Sequence, residues 1–196
     1  MTVRAERSHP LFSGGEEILQ TLPEGHVIHT LVREHRRILD ILLEIDALRA
    51  SLKLKGSLEE SESILRDIAQ HAEMLLDAEN HHLREEQVVC LEMERRGLSG
   101  PPEIMRQEHN LLRPIKRHLL DLATTGAEKK EFGVLQADID ETTDRIIANL
   151  ILHTQKEDKV LYPMALKIID DQETWQHMRQ KCDEIGYCSF TPVSGK

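Results

Sequence analysis

A chain of 196 residues with 39% hydrophobic and 31% charged side chains is long enough to bury one core and polar enough to stay in solution. Its net charge of -10 excludes the nucleic-acid backbone as a main partner, which needs a basic surface, and disfavours an anionic membrane face. No apolar run approaches the ~18 residues of a membrane span. The opening "MTVRAERSHPLFSGGEE" holds no signal-peptide core, and three cysteines without a C-x-x-C spacing fit a reducing compartment, so a cytoplasmic location is expected.

Residues 1–23 are punctuated by glycine and proline and read as an N-terminal extension, with one short helix near "EEILQTL". Four long segments of helical periodicity follow. The first runs from about His26 to Lys53, with Leu31, Ile38, Leu42, Ile45 and Leu48 on one stripe, and "KGS" breaks it. The second opens at "SLEE", where Ser57 can cap and Glu60 can close a capping box. It runs to about Arg96, and Gly97 is placed to end it. The third opens at "SGPPE", with proline suited to a first turn, and runs to about Ala123 with a bend at Pro114. "TTGA" separates it from the fourth, which runs from about Glu128 to Lys167 and loosens near Pro163. Residues 170–196 hold one short helix and an irregular end. Nothing alternates as a strand would. The expected fold is all-α: an antiparallel up-down-up-down four-helix bundle over residues 24–169, with a short C-terminal helix.

One pattern is written twice: "HHLREEQVVCLEM" from His81 and "HTQKEDKVLYPMA" from His153. A histidine and an acid four residues apart share a helix face and can reach one metal ion. With 11 histidines and 35 acids in the chain, a few such pairs arise by chance, so the spacing alone decides nothing. The register decides it. When His81 is aligned with His153, Glu85 falls on Glu157, Glu86 on Asp158, Arg84 on Lys156 and Val89 on Leu161. Upstream, "REHRRIL" carries His35 and "QEHNLLR" carries His109, at nearly equal distances before the later histidines. Each half therefore reads as a helix hairpin with an early "EH" and a later "HxxxE". Two such hairpins can bring His35, His81, Glu85, His109, His153 and Glu157 together as two half-sites of one metal centre. Imidazole nitrogen and carboxylate oxygen suit iron, manganese or zinc, and bridging carboxylates suit two ions. Glu86 and Asp158 compete with Glu85 and Glu157 for the ligand role.

The other candidates read more plainly. His82 is expected at the surface beside His81. Glu79 and His82 form one E-x-x-H, a ferritin-type half-motif with no second copy. His118 lies roughly opposite His109 on its helix, and His9 and His71 have no partner pattern. His26 sits at a helix start, where it can cap or ligate, and His29 is a weaker candidate. Tyr162 is expected to pack, Trp175 and its short helix to cover one end of the bundle, and Cys90 to be buried. Cys182 and Cys188 are expected as free thiols.

These residues, with "LPEGHVIHTLVREH", "GPPEIMRQEH" and the tail "IGYC", resemble the hemerythrin, or HHE cation-binding, family over roughly residues 24–169. Within it they look closest to a branch often fused to PAS-type sensor domains. The resemblance implies a four-helix bundle around a non-haem di-iron site, with two irons per chain. Its ligands would be His35, His81, His109 and His153, with Glu85 and Glu157 as bridges. Oxygen carriers of the family use H-x-x-x-H in the third helix, and here Arg113 stands four residues after His109. A fifth histidine would come from His26, His29 or His82, or water or a carboxylate takes its place. Carriers also use an aspartate five residues after the last helix's histidine, which is Asp158 here. The departure at Arg113 counts against reversible oxygen carriage more than against metal binding. The expected function is a di-iron protein that senses or reacts with oxygen, nitric oxide or redox state, with a protein partner or a homodimer compatible with that role. An iron–sulfur repair protein is one alternative, weakened because residues 1–23 hold no cysteine. A di-iron peroxidase or oxidase, and a helical interaction module with a vestigial site, are the others.

Overall fold

The computed structural model describes residues 15–192, so most of the expected extension and the last four residues lie outside the described residues. Every regular element among the described residues is helical. A short α1 (Glu16–Thr21) leads into α2 (Val27–Lys53). The second rod is built from α3 (Glu62–Asp77), α4 (Glu79–Arg84), a π-helical turn (Glu85–Cys90) and α5 (Leu91–Arg95). The third is α6 (Gly100–Lys129). The fourth comprises α7 (Phe132–Lys156), a second π-helical turn (Glu157–Leu161) and α8 (Tyr162–Ile168), and α9 (Gln172–Ile185) follows. Among these described residues no helix is long and apolar enough to cross a membrane.

The four rods touch in a ring: α2 on α3, α3 on α6, α6 on α7, and α7 back on α2. Residue pairs across the two seams of α2 run in opposite senses. His71 meets Glu44 while His81 meets Glu34; Arg49 meets Asp140 while His35 meets Asp158. The ring encloses an aliphatic core, with Leu31, Ile38, Leu42 and Ile45 from α2 packed among Ile68, Leu75, Leu119, Ile139 and Ile146. The expected stripe on α2 lies in this core.

Two connections differ from the expectation. The Ser57 cap forms, its Oγ accepting from the Glu60 N–H at 3.4 Å, but the Glu60 carboxylate returns to the Gly56 N–H at 3.2 Å, one residue early. "TTGA" does not break the chain; α6 runs through it and ends at Lys129. Gly126 is there for packing: a Cβ on it would lie 2.5 Å from Leu135 Cδ1 of α7. The missing side chain lets the two helices close together just before the turn at Lys130 and Glu131.

Gly97 ends α5 as expected. Its φ is +84°, its N–H bonds to the Glu94 carbonyl at 2.9 Å, and the Leu98 N–H reaches back to Met93 at 3.0 Å, which is a Schellman closure. Nothing lies within 4 Å of a Cβ built there, so an added methyl meets only backbone strain. Gly97→Ala should cost about 1–2 kcal/mol. A denaturant midpoint lower than wild type with an unchanged slope checks this; an unchanged midpoint refutes it.

Candidate metal centre

The centre lies where the two repeated hairpins face each other, at the depth of the two π-turns. In each half the later histidine closes an α-helix and the carboxylate four residues on opens a π-turn: His81 then Glu85, His153 then Glu157. A π-turn widens the helix by one residue and re-aims the side chains beyond it. Val88, Val89 and Cys90, three in a row, are buried as a result.

His35 and His81 meet with their Nε2 atoms 3.1 Å apart, and His109 and His153 with theirs 3.0 Å apart. All four rings are buried. Each Nδ1 faces outward onto a carboxylate: His35 on Asp158 at 2.8 Å, His81 on Glu34 at 2.7 Å, His109 on Glu86 at 2.7 Å and His153 on Glu108 at 2.9 Å. The pattern has two-fold character. In both halves the glutamate of "EH" holds the later histidine of its own hairpin. In both, the acid after the ligand-position glutamate holds the early histidine of the other hairpin. An imidazole that donates Nδ1–H outward presents a lone pair at Nε2. Two lone pairs at 3.0 Å repel unless a cation lies between them.

The carboxylates complete the ring of donors. Glu157 Oε2 is 3.1 Å from His35 Nε2, and its Oε1 is 3.1 Å from His153 Nε2 and 3.6 Å from His109 Nε2, so one carboxylate spans both pairs. Glu85 Oε2 is 3.4 Å from both His81 and His109, and its Oε1 accepts from the Tyr162 hydroxyl at 2.5 Å. Glu85 Oε2 and both Glu157 oxygens are buried without a hydrogen-bond partner. Three groups have donor atoms within 4.8 Å of one another: His35, His81, Glu85 and Glu157; Glu85, His109, His153 and Glu157; and His82, His109 and His153. An Nε2 pair about 3.0 Å apart is the edge made by two nitrogens about 2.1 Å from one ion at right angles. The donor set, its orphaned oxygens and its facing lone pairs fit metal.

The structure thus brings all six expected residues together. It sets Glu85 and Glu157 inward and gives Glu86 and Asp158 the outer role. His82 is not at the surface: it is buried and stacks on His109 with ring centroids 4.0 Å apart. It joins the second half-site because the two adjacent rings on α4 straddle the inward direction, His81 facing His35 of α2 and His82 facing His109 of α6. His26 is a cap, its Nδ1 accepting from the Ile28 N–H at 3.2 Å with its ring against Trp175. His29 lies buried in the same first turn of α2, beside His26. His118 is exposed. Tyr162 does pack, but its hydroxyl also serves Glu85 and lies 3.3 Å from His35 Nε2. Sequence reasoning misses Glu34 and Glu108, although the repeated "EH" contains the signal.

An outer layer backs the first half. Arg84, itself buried, donates to both Glu34 oxygens at 2.7 and 2.8 Å. The chain after α9 closes over this pair. Tyr187 lies against the Arg84 guanidinium at 4.6 Å, Thr191 donates to Glu34, and the Ser189 N–H donates to Asp77 at 2.6 Å. In the second half Lys156 takes the place of Arg84 on Glu108, and it is half-exposed.

Burial alone would push the Glu34 carboxyl up; His81 and Arg84 outweigh it and hold it below the usual range. Burial and then the Lys116 ammonium push His82 well below the usual imidazole range, leaving a neutral donor. In the metal-free protein, burial opposes charge on His109, but Glu157, Glu85 and Glu86 prevail and raise it to about 11. Burial and the Glu157 charge push Glu85 up, yet His81 and His109 hold it to about 2. The His109 contribution to stability is complete below its unfolded value near 6.5 and is lost as pH rises toward 11. The Glu85 contribution is present above about 4.5 and is lost as pH falls toward 2. Chelator-treated protein should therefore lose thermal stability steadily from pH 6.5 to 9, and metal-loaded protein should lose less, since metal replaces those protons. Parallel melting curves with equal pH slopes would contradict this.

Among curated proteins none is similar enough to count as a relative. The model of the hemerythrin HHE cation-binding domain matches residues 26–165, from the cap of α2 to the last buried turn of α8. That span contains all six convergent residues as well as His82 and Tyr162, and it makes this chain a member of the hemerythrin HHE cation-binding family.

Proposed function

We propose that this protein is a non-haem di-iron protein whose role is to sense or react with a small diatomic ligand, oxygen or nitric oxide, or with redox state. The observation that carries the reading is the Glu157 carboxylate, with one oxygen toward each histidine pair. A carboxylate shared in this way belongs to two ions rather than one. His35 and His81 would hold the first iron, and His109, His153 and His82 the second, with Glu85 and Glu157 between them. Bound iron would supply an open position for a small ligand and one-electron exchange. The scaffold is read as an up-down-up-down bundle over residues 24–169, which the opposed pairings along the two seams of α2 support.

The chain's own residues prepare the site. Asp158, Glu34, Glu86 and Glu108 fix ring orientation and tautomer, which raises the donor strength of each Nε2. Val88, Val89 and Leu161 exclude water around it. The Tyr162 hydroxyl holds the outer oxygen of Glu85, so that carboxylate turns only its Oε2 inward. Arg113 cannot ligate and is tied to Glu79 and Glu86, so the third helix adds no second histidine. That leaves fewer protein donors on α6 than a carrier has, and sensing or redox reaction is favoured over storage.

Iron-loaded protein should hold close to two irons per chain by metal analysis, and consistent values of one or zero would sink the dinuclear reading. His153→Ala should lose at least half of that iron while His118→Ala keeps all of it; equal retention would show that the repeated register does not mark ligands.

A further inference from the structure

The repeated frame allows its two outer seams to be compared position by position. In the first half the seam between α2 and α4 carries the Glu34–Arg84 pair, and α9 packs on α2, α4 and the first π-turn. There the Asn80 side chain donates to the Tyr187 carbonyl at 3.2 Å, and Val88 is only 5% exposed. The matching seam of the second half lies between α6 and α7 and carries the Glu108–Lys156 pair. Leu152 stands in the place of Asn80, and Val160 in that of Val88. These two are 58% and 47% exposed. Among the described residues the second seam has no cover like that of the first.

The bare seam is apolar and nearly free of charge. The two helices meet in opposed register, His109 with His153 and Lys130 with Asp138, which sets Ile104 level with Val160 and Leu111 level with Leu152. Nine large apolar side chains are exposed among the described residues, and four of them gather here. Scattered exposed apolar residues are ordinary, but a cluster on one face marks an interaction surface. The chain is 31% charged, yet the other exposed positions at 104–114 and 148–155 are Gln107, Asn110, Pro114, Ala148 and Asn149. Arg106 and Arg113 turn aside to Glu94 and Glu79. Depletion of charge at the centre of a patch is the compositional mark of an interface. The charges that remain, Glu108 and Lys156, are paired with each other.

We propose that the α6–α7 seam is the interface on which a second copy of this chain docks about a two-fold axis. A two-fold sets a patch against itself, and an acid beside a base then meets its opposite, Lys156 of one copy facing Glu108 of the other. The neutral, aliphatic seam gives a copy with the same net charge of -10 nothing to repel. It gives a strongly basic partner nothing to hold. From Gly100 to Leu120 the face runs about 30 Å along α6 and is two helix diameters, about 20 Å, wide. That outline of about 600 Å² a side meets the lower bound for a stable interface. A copy seated here closes over the Glu108–Lys156 pair, which gives the second half the cover that α9 and the chain after it give the first.

The test is the mass of the full chain in solution by sedimentation at about 50 μM, well above the micromolar limit for an interface of this size. Wild type should sediment as two copies. Leu111→Arg and Leu152→Arg, each tested alone, should raise the dissociation constant roughly a hundredfold, because each change occurs twice across a two-fold interface and sets like charges together. Both side chains are exposed, so helix content by circular dichroism should hold, and either variant serves if the other folds poorly. Leu54→Arg, at an exposed leucine away from the seam, should leave the two-copy species intact. A wild type that stays monomeric overturns the proposal and leaves the face to a different protein. A two-copy species that persists in both seam variants, or that Leu54→Arg dissociates equally well, overturns it too.

Discussion

Two pairs of imidazole nitrogens, set 3.1 and 3.0 Å apart in the middle of a helical protein, are the constraint on which the rest of the structure depends. Each pair joins helices that belong to one hairpin, and one carboxylate spans the pairs. Such an arrangement is costly by itself. Buried histidines and carboxylates forfeit hydration, and facing lone pairs repel. The chain meets that cost with ordered partners, one carboxylate on each outer nitrogen, and with a cation or protons at the centre. The aliphatic core above and below then holds four helices at one spacing, which is why Gly126 must be bare where α6 meets Leu135.

The duplicated frame supplies the six convergent residues, but its two coats are unequal. Glu34 and Arg84 are sealed by Tyr187 and Thr191 from the chain after α9, so the first half-site has a rigid, dry backing. Glu108 in the second half is held by Lys156 at the edge of solvent. A buried ion pair is strong in geometry and weak in net stability, and its use here is to fix His81 rather than to hold the fold together.

The four rods, the Gly97 stop and the six inward residues are all legible in the amino-acid sequence, because helical periodicity and a repeated register are properties of the chain itself. The end of the third rod is not, since a glycine in "TTGA" looks the same whether it breaks a helix or lets one pack closely. His82 misleads because adjacent residues on a regular helix point about 100° apart, and the pair straddles the inward direction so that His81 meets α2 while His82 meets α6. The π-turns escape for a related reason. Periodicity at 3.6 cannot represent one inserted residue, although "VVC" at 88–90 offers three consecutive apolar positions that no single α-helical face could bury. Glu34 and Glu108 stand in plain sight within the repeated "EH", yet a residue that serves a ligand leaves no spacing signature of its own.

Some positions at which the two halves disagree lie beside the centre without belonging to its frame. Nine residues after His153 comes Tyr162, hydrogen-bonded to Glu85; nine after His81 comes Cys90, a thiol that burial and the Glu85 charge push far above its ordinary range. After His81 comes His82, stacked on His109; after His153 comes Thr154. Leu42 is answered by Lys116. The phenol lies at the first half-site, while the extra imidazole and the buried lysine lie at the second, so the donors and charges around the two half-sites differ even though the frame is shared. Under the di-iron reading, unequal surroundings would give the two positions unequal potentials and unequal affinity for a ligand, because the groups behind each donor tune what it holds.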